Sequence, residues 1–250
     1  MTRTRLDLLV VKQRLAPSRA RAQSLILSGK VMVDDAVADK AGALVDEAAA
    51  LRLKEEDHPF VSRGGVKLDA ALDAFHADLN ARRVLDVGAS TGGFTDCCLR
   101  RGASHVVAVD VGYGQMHWSL RNDPRVTLRE RLNARYLRKE DVGEPVDWAV
   151  IDVSFISLEK ILPAVIPLVK PGGGIVALVK PQFEAGRAEV GKGGVVKDDA
   201  VRESVVRRVC RFAEGLGLGV RGVADSVLSG PKGNREVFVH FLCPCKEGSE

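Results

Sequence analysis

The chain has 250 residues, room for one large domain or a large one with a small companion. With 46% hydrophobic and 28% charged residues it has the composition of a globular protein, and no apolar run approaches the roughly 18 residues needed to cross a bilayer. Net charge is only +4, yet residues 1–30 hold seven Lys or Arg against Asp7 alone, so the positive charge is concentrated at one end and points to a polyanionic partner there. The five cysteines, Cys97, Cys98, Cys210, Cys243 and Cys245, show no C-x-x-C spacing and are odd in number. Reduced thiols and a cytoplasmic protein are expected, without disulfides or metal. The basic N-terminus lacks the apolar core of a signal peptide, and no membrane contact is expected.

In chain order, Leu6, Leu9 and Val10 form one apolar face at helical spacing. Pro17-Ser18 supplies a break and an N-cap, Ala22, Leu25 and Ile26 the face of a second helix, Gly29 its stop, and Val31–Val33 a strand. These residues in this order, with Arg5-Leu6-Asp7 ahead of them, resemble the S-four-type RNA-binding module of a ribosomal protein and of pseudouridine synthases. The resemblance implies that Arg19, Arg21 and Lys30 face RNA phosphates. Arg5 and Arg14 of the same basic unit are expected to join them, as is Arg63 at the opening of the next domain. Weak strand signals follow at Ala43–Val45 and Leu51–Leu53, and the charged Lys54–Pro59 stretch reads as a linker. The expected division is 1–58, RNA-binding unit with linker, and 59–250, catalytic domain.

The larger part opens with Phe60-Val-Ser-Arg-Gly-Gly-Val-Lys67, a Gly64-Gly65 turn leading into a helix through Leu68, Ala71, Leu72 and Phe75. Strands are expected at Val84–Val87, His105–Val111, Val126–Leu128, Trp148–Val153 and Gly174–Lys180. A long helix over Asp198–Leu216, with Val201, Val205, Val209 and Phe212 on one face, precedes a closing strand pair, Val220–Val227 and Glu236–Leu242. Alternating strands and helices predict an α/β fold: a Rossmann-like, mostly parallel sheet with an antiparallel last strand, beside a small N-terminal α+β domain.

The stretch Asp86-Val-Gly-Ala-Ser-Thr-Gly-Gly-Phe-Thr95 joins the first strand of that sheet to a helix, which is a nucleotide-binding position. It matches neither G-x-G-x-x-G nor the phosphate-binding Gly-Lys-Ser/Thr loop. Asp86, read as an acceptor inside the turn, would repel a pyrophosphate and suits a cationic ligand. S-adenosylmethionine fits, and the stretch resembles the first motif of Rossmann-like methyltransferases. The expected cofactor contacts are Asp86, Gly88, Ser90, Thr91, Gly92, Gly93, Phe94 and Thr95. Asp110 and Val111 come next, the former at the conventional distance for meeting a ribose diol. Asn133 is expected at the adenine edge and Asp152 beside the methyl.

Two polar residues end otherwise apolar strands, Asp152 and Lys180, and Glu236 opens the last one. With Lys67 they form a set suited to removing the proton of a ribose 2′-hydroxyl, a weak acid that needs a base and a nearby cation. Lys180 is expected to take the proton, Asp152 and Glu236 to position it, and Lys67 to stabilise the oxyanion. A lysine base must be depressed from about 10.4; burial and a second cation act in that direction and the two carboxylates against it. An Asn/Asp-Pro-Pro-Tyr/Phe turn, which amine-directed enzymes carry after the fourth strand, is replaced by Asp-Val-Ser-Phe. A cysteine nucleophile near it is missing too.

Together with the basic module, the segments Val-Ser-Arg-Gly-Gly-Val-Lys-Leu, Ile-Asp-Val-Ser-Phe-Ile-Ser-Leu, Leu-Val-Lys-Pro-Gln-Phe-Glu and Gly-Asn-Arg-Glu-x-Phe resemble the TlyA family over about Arg5 to Phe241. These are ribosomal RNA 2′-O-methyltransferases with an FtsJ-like catalytic domain, often named hemolysins. The resemblance implies an S-adenosylmethionine-dependent enzyme acting on cytidine riboses in the ribosomal RNA of one or both ribosomal subunits, and it carries a catalytic tetrad onto Lys67, Asp152, Lys180 and Glu236. Alternatives are a non-catalytic ribosome-binding factor, which would have lost tetrad or turn residues, and a membrane-active hemolysin, which would want a lytic helix or span. No match to the short aromatic linker motif of some members is found.

Overall fold

The computed structural model describes residues 3–54, 58–186 and 189–245, and it divides into two compact units, Met1–Pro59 and Phe60–Glu250. Part of the expected linker, residues 55–57, lies outside the described residues.

In the small unit, β1 (Arg3–Arg5) leads directly into α1 (Leu6–Lys12), and α2 (Arg19–Leu27) packs on α1. Ser18 Oγ accepts the Arg21 N–H at 3.3 Å as an N-cap, and Gly29 at φ +68° provides the left-handed stop. The next strands are β2 (Val31–Val33), β3 (Ala36–Ala38), β4 (Leu44–Asp46) and β5 (Leu51–Leu53). They form a sheet of order β3-β2-β5 and an antiparallel β1-β4 pair. Leu6, Val10, Ala22, Leu25, Ile26 and Val31 make its core. β1 (Arg-Thr-Arg) and β3 (Ala-Val-Ala) are not expected from the sequence, because neither has the large apolar residues at alternate positions that mark β2 and β5.

The large unit is built on seven strands: β6 (Arg83–Val87), β7 (His105–Val109), β8 (Val126–Arg129), β9 (Val146–Ile151), β10 (Val169–Val179), β11 (Gly219–Asp225) and β12 (Val237–Leu242). Their order is β11-β12-β10-β9-β6-β7-β8, with β12 antiparallel to both neighbours and the pairs from β10 to β8 parallel. Side chains alternate across the sheet. Val84, Val106, Val150 and Val176 join the core under α3 (Arg63–Ala74) and α4 (Gly93–Arg100). Leu85, Val107, Ala149 and Ile175 join the core under the long helix α5 (Asp199–Gly215).

Several boundaries differ from expectation. The strands end early enough that Asp110, Asp152 and Lys180 stand just past β7, β9 and β10, and Glu236 just before β12. β10 starts at Val169, because the Gly172–Gly174 run, which resembles a turn, continues the strand with a register shift; a Cβ on Gly174 would lie 2.2 Å from the Trp148 ring. Gly64 and Gly65 form the first turn of α3 instead of a turn ahead of it, and a Cβ on Gly65 would meet the Phe60 ring at 2.4 Å. In α5 the buried stripe is Val205, Val209 and Ala213, with Val201 and Phe212 only partly buried.

Candidate active site

The β6–α4 turn is tightly enclosed. Gly88 has φ +89°, and a Cβ there would sit 2.5 Å from the Asp152 carbonyl oxygen, so the turn can pass against the end of β9 only as glycine. A Cβ on Gly93 would lie 2.2 Å from Ser62 Oγ and 2.9 Å from the Gly65 nitrogen, which is how α3 and α4 approach closely enough for Lys67 to reach the cleft. Asp86 is not inside the turn. It lies in β6 with no exposure, and its Oδ2 accepts the Thr95 hydroxyl at 2.6 Å. Burial, reinforced by the nearby Asp152 charge, pushes its carboxyl up to about 7, against the Thr95 hydrogen bond, and its Oδ1 is buried without a partner. Asp86, Thr95 and Gly92 thus lie behind the cleft lining, Gly92 packed against Leu120, where direct contacts were expected.

A cleft of about 460 Å³ is lined by Gly88, Ser90, Thr91, Gly93 and Phe94 on one side and by Arg63, Lys67, Asp152, Lys180 and Glu236 on the other. It shares Gly88, Ser90, Asp152 and Ser154 with a neighbouring recess of about 510 Å³ that Asp110, Val111 and Asn133 line. Asp110 accepts the Ser90 N–H at 2.7 Å and the Gly112 N–H at 2.6 Å, fixing the two loops that bound this recess. Asn133 Oδ1 caps the turn that follows it by accepting the Arg135 N–H at 3.0 Å.

Lys67 of α3 and the three polar residues at strand ends, Asp152, Lys180 and Glu236, form two ion pairs in the cleft wall. Lys67 Nζ donates to Glu236 Oε2 at 2.6 Å, with the two side chains 10% and 0% exposed. Glu236 Oε1 has no partner, and Gly230 leaves room for it, since a Cβ there would be 2.1 Å away. Lys180 Nζ lies 2.5 Å from Asp152 Oδ1, a charge contact without the alignment of a hydrogen bond, and donates to Ser154 Oγ at 2.9 Å.

Two contributors were missed in the sequence. Ser154 has no role in the motif reading, although its place two residues after Asp152 on the same loop was a usable signal. Glu184, buried, accepts the Ser157 hydroxyl and the Leu158 N–H, each at 2.7 Å, and so ties the loop carrying Asp152 to the one carrying Lys180. Burial raises its carboxyl, and nothing in its local sequence announces this clamp. Phe155, 89% exposed at φ +63°, pairs with the Phe183 ring at 4.8 Å. Both line a recess of about 420 Å³ that shares Ser154, Lys180 and Glu236 with the cleft.

In the small unit, Arg14 and Arg19 are exposed and Arg5, Arg21 and Lys30 partly so. Arg5 and Arg19 converge on Asp7, whereas Arg21 donates to the His58 carbonyl at 3.2 Å. Among the described residues, no group of three or more His, Cys, Asp or Glu is arranged to hold a metal ion, and no helix is long and apolar enough to cross a membrane.

A glycine turn after the first strand, a sheet closed by an antiparallel strand inserted between two others, and a cleft at the carboxyl ends of the parallel strands define a Rossmann-like methyltransferase. Residues 60–242 match the FtsJ-like methyltransferase family model, and residues 4–50 match the S4 domain. The chain is 50% identical over 238 residues to the 16S/23S rRNA (cytidine-2′-O)-methyltransferase TlyA of Mycobacterium tuberculosis, covering 95% of this chain and 89% of that one. It is 37% identical to Hemolysin A of Brachyspira hyodysenteriae, over 95% of this chain and 99% of that one. A solved structure described as a hemolysin from Streptococcus thermophilus superposes with a TM-score of 0.76 at 42% identity, over 99% of this chain and 92% of that one. The chain belongs to the TlyA family of FtsJ-like methyltransferases.

Proposed function

We propose that this protein transfers a methyl group from S-adenosylmethionine to a ribose 2′-hydroxyl, that of a cytidine, in ribosomal RNA. The observation that carries this reading is the pair of lysine–carboxylate contacts, Lys67–Glu236 and Lys180–Asp152, facing one cleft beside the glycine turn. The names of the relatives support ribosomal RNA and cytidine as the substrate, and the S4 domain supports an RNA partner. Ribosomes also make the cytoplasm its place of action.

The cleft fits the cofactor on physical grounds. Its turn offers backbone at Gly88 and Gly93 where a Cβ would collide, Asp152 lines both cleft and recess, and Asp110 lines the recess, whose lining has no lysine or arginine to receive a pyrophosphate; the cleft's lysines, Lys67 and Lys180, each face a carboxylate. Gly88, Ser90, Thr91, Gly93 and Phe94 would hold the methionine half. Asp110, Val111 and Asn133 would hold the adenosine half. When bound, the cofactor supplies an electrophilic methyl on a sulfonium.

The protein's own part is to place and deprotonate the acceptor. Lys180, held by Ser154 Oγ and facing Asp152, takes the 2′-hydroxyl proton at Nζ. In its neutral form the amine has two N–H groups and a lone pair; Ser154 accepts one N–H, Asp152 faces the amine without a hydrogen bond, and the lone pair is left for the substrate. Lys67, anchored by Glu236, places a second positive charge beside the developing oxyanion. Phe155 and Phe183 offer the acceptor's base a stacking surface next to Lys180. Lys180→Ala tests this directly. Methyl transfer to ribosomal RNA at saturating cofactor is expected to fall by at least ~100-fold, the usual scale of a lost general base; activity within about tenfold of wild type would refute the assignment.

A further inference from the structure

We propose that Asp7 is the positioning residue of a two-arginine fork, formed by Arg5 and Arg19, that binds a phosphodiester of RNA; this rests on the reading above that the small unit meets RNA. Asp7 is the second residue of α1 and its side chain has no exposure, which is rare for a carboxylate unless it is paired. Four N–H groups meet it. Arg5 donates from Nε to Oδ1 at 3.0 Å and from Nη2 to Oδ2 at 2.9 Å, Arg19 Nε donates to Oδ2 at 3.0 Å, and Gln23 Nε2 donates to Oδ2 at 2.8 Å. These partners come from β1 and α2, so one carboxylate gathers arginines from two separate elements.

The pairing holds the Asp7 carboxyl well below the usual carboxylate range, with the Arg5 hydrogen bonds the largest cause. It does not consume the arginines. A guanidinium has five N–H donors, of which Arg5 gives two and Arg19 one to Asp7. Their side chains are 42% and 53% exposed, so the remaining donors are within reach of a ligand. Two guanidinium groups against one carboxylate leave a net positive charge with both planes already fixed. A phosphate oxygen pair would therefore meet forks whose rotamer freedom has been spent on folding and not on binding. A buried carboxylate is a poor stabiliser compared with an apolar residue of similar volume, which makes orientation the better account of its presence.

The test is filter binding of the full-length protein to purified unmodified ribosomal RNA, with far-UV circular dichroism and thermal melting as fold controls. Asp7→Asn removes a negative charge from a basic surface, so general electrostatics expects tighter binding; the fork requires binding at least fivefold weaker. Arg19→Lys, which keeps the charge, is expected to weaken binding at least threefold, and Asp7→Asn added to Arg5→Ala with Arg19→Ala to bind no more weakly than that arginine pair of changes alone. A folded Asp7→Asn protein that binds as tightly as wild type, or tighter, overturns the proposal. If that variant unfolds, Arg19→Lys decides, and unchanged affinity overturns it. Should Arg5→Ala and Arg19→Ala both leave affinity unchanged while Arg14→Ala, Arg21→Ala or Lys30→Ala weakens it, the fork fails and the RNA-binding reading stands; unchanged affinity in all five variants ends both.

Discussion

Asp86 shows how one side chain can carry a cost that depends on pH. Its carboxyl titrates at about 7 in the folded chain and at about 3.9 when unfolded. Between those values the folded state holds the extra proton, so stability falls as pH rises from about 4 to 7, and the full cost is present above 7. Asp86→Asn can still accept from Thr95 and never ionises. The wild-type melting temperature is expected to drop between pH 5 and pH 8 by several degrees more than that of Asp86→Asn; equal drops in the two proteins would show that this carboxyl is not the source. At Lys180, Ser154→Ala removes one acceptor without touching either ion pair. A fall in kcat of about tenfold is expected, with little change in the KM for RNA, the pattern of a lost orienting contact; an unchanged kcat would remove Ser154 from the account. Lys67 is tied to stability as well as chemistry. Lys67→Ala strands the Glu236 carboxylate, which is 1% exposed, and should lower unfolding free energy by about 3 kcal/mol in denaturant titration. Lys67→Met with Glu236→Gln should recover part of that loss while staying inactive.

The elements position these residues through close approaches that only glycine permits. Gly88 against Asp152, Gly93 against Ser62 and Gly65 against Phe60 bring the ends of β6, β9, α3 and α4 together at one cleft. Gly88→Ala combines a left-handed backbone with a 2.5 Å approach to backbone oxygen, and is expected to destabilise the protein by about 1–3 kcal/mol and to weaken S-adenosylmethionine binding in calorimetry. Wild-type affinity in that variant would contradict the assigned packing. The periodic elements were legible in the residues: α2 with its Ser18 cap and Gly29 stop, the five-residue apolar strands β6 and β7, and the order of strands and helices that implies a Rossmann-like sheet. What was not legible depends on partners distant in sequence. Gly172 and Gly173 have turn composition but lie in β10, where a Cβ on Gly173 would meet the Asp147 carbonyl oxygen and Val169 at 2.6 Å. Asp86 stands at the head of the glycine turn in the sequence, and composition does not show that the strand directs it inward, onto Thr95. Glu184 reads as an ordinary acidic residue until the fold brings Leu158 to it.

At the scale of the molecule, the positive charge gathered in the small unit and the cleft within the large one suit the two tasks proposed for them, holding RNA and carrying out the reaction. Lys67, Asp152, Lys180 and Glu236 stand 169 residues apart at their extremes, yet could be nominated individually, since each is a polar residue at a strand end or helix start in an apolar setting. Their pairing could not, because the insertion of β12 between β10 and β11 is what carries Glu236 to Lys67. The Asp7 fork was likewise invisible without coordinates, as it depends on a direction and not on a spacing. The central claim, ribose methylation by this cleft, is tested most directly by mass-spectrometric mapping of ribosomal RNA from a strain lacking the gene. The RNA is mapped before and after incubation with S-adenosylmethionine and either the wild-type protein or Lys180→Ala. The account predicts a 2′-O-methylcytidine that appears with the wild-type protein and not with the variant; a methyl group found only on bases, or no new methylation at all on RNA or intact subunits, would contradict it.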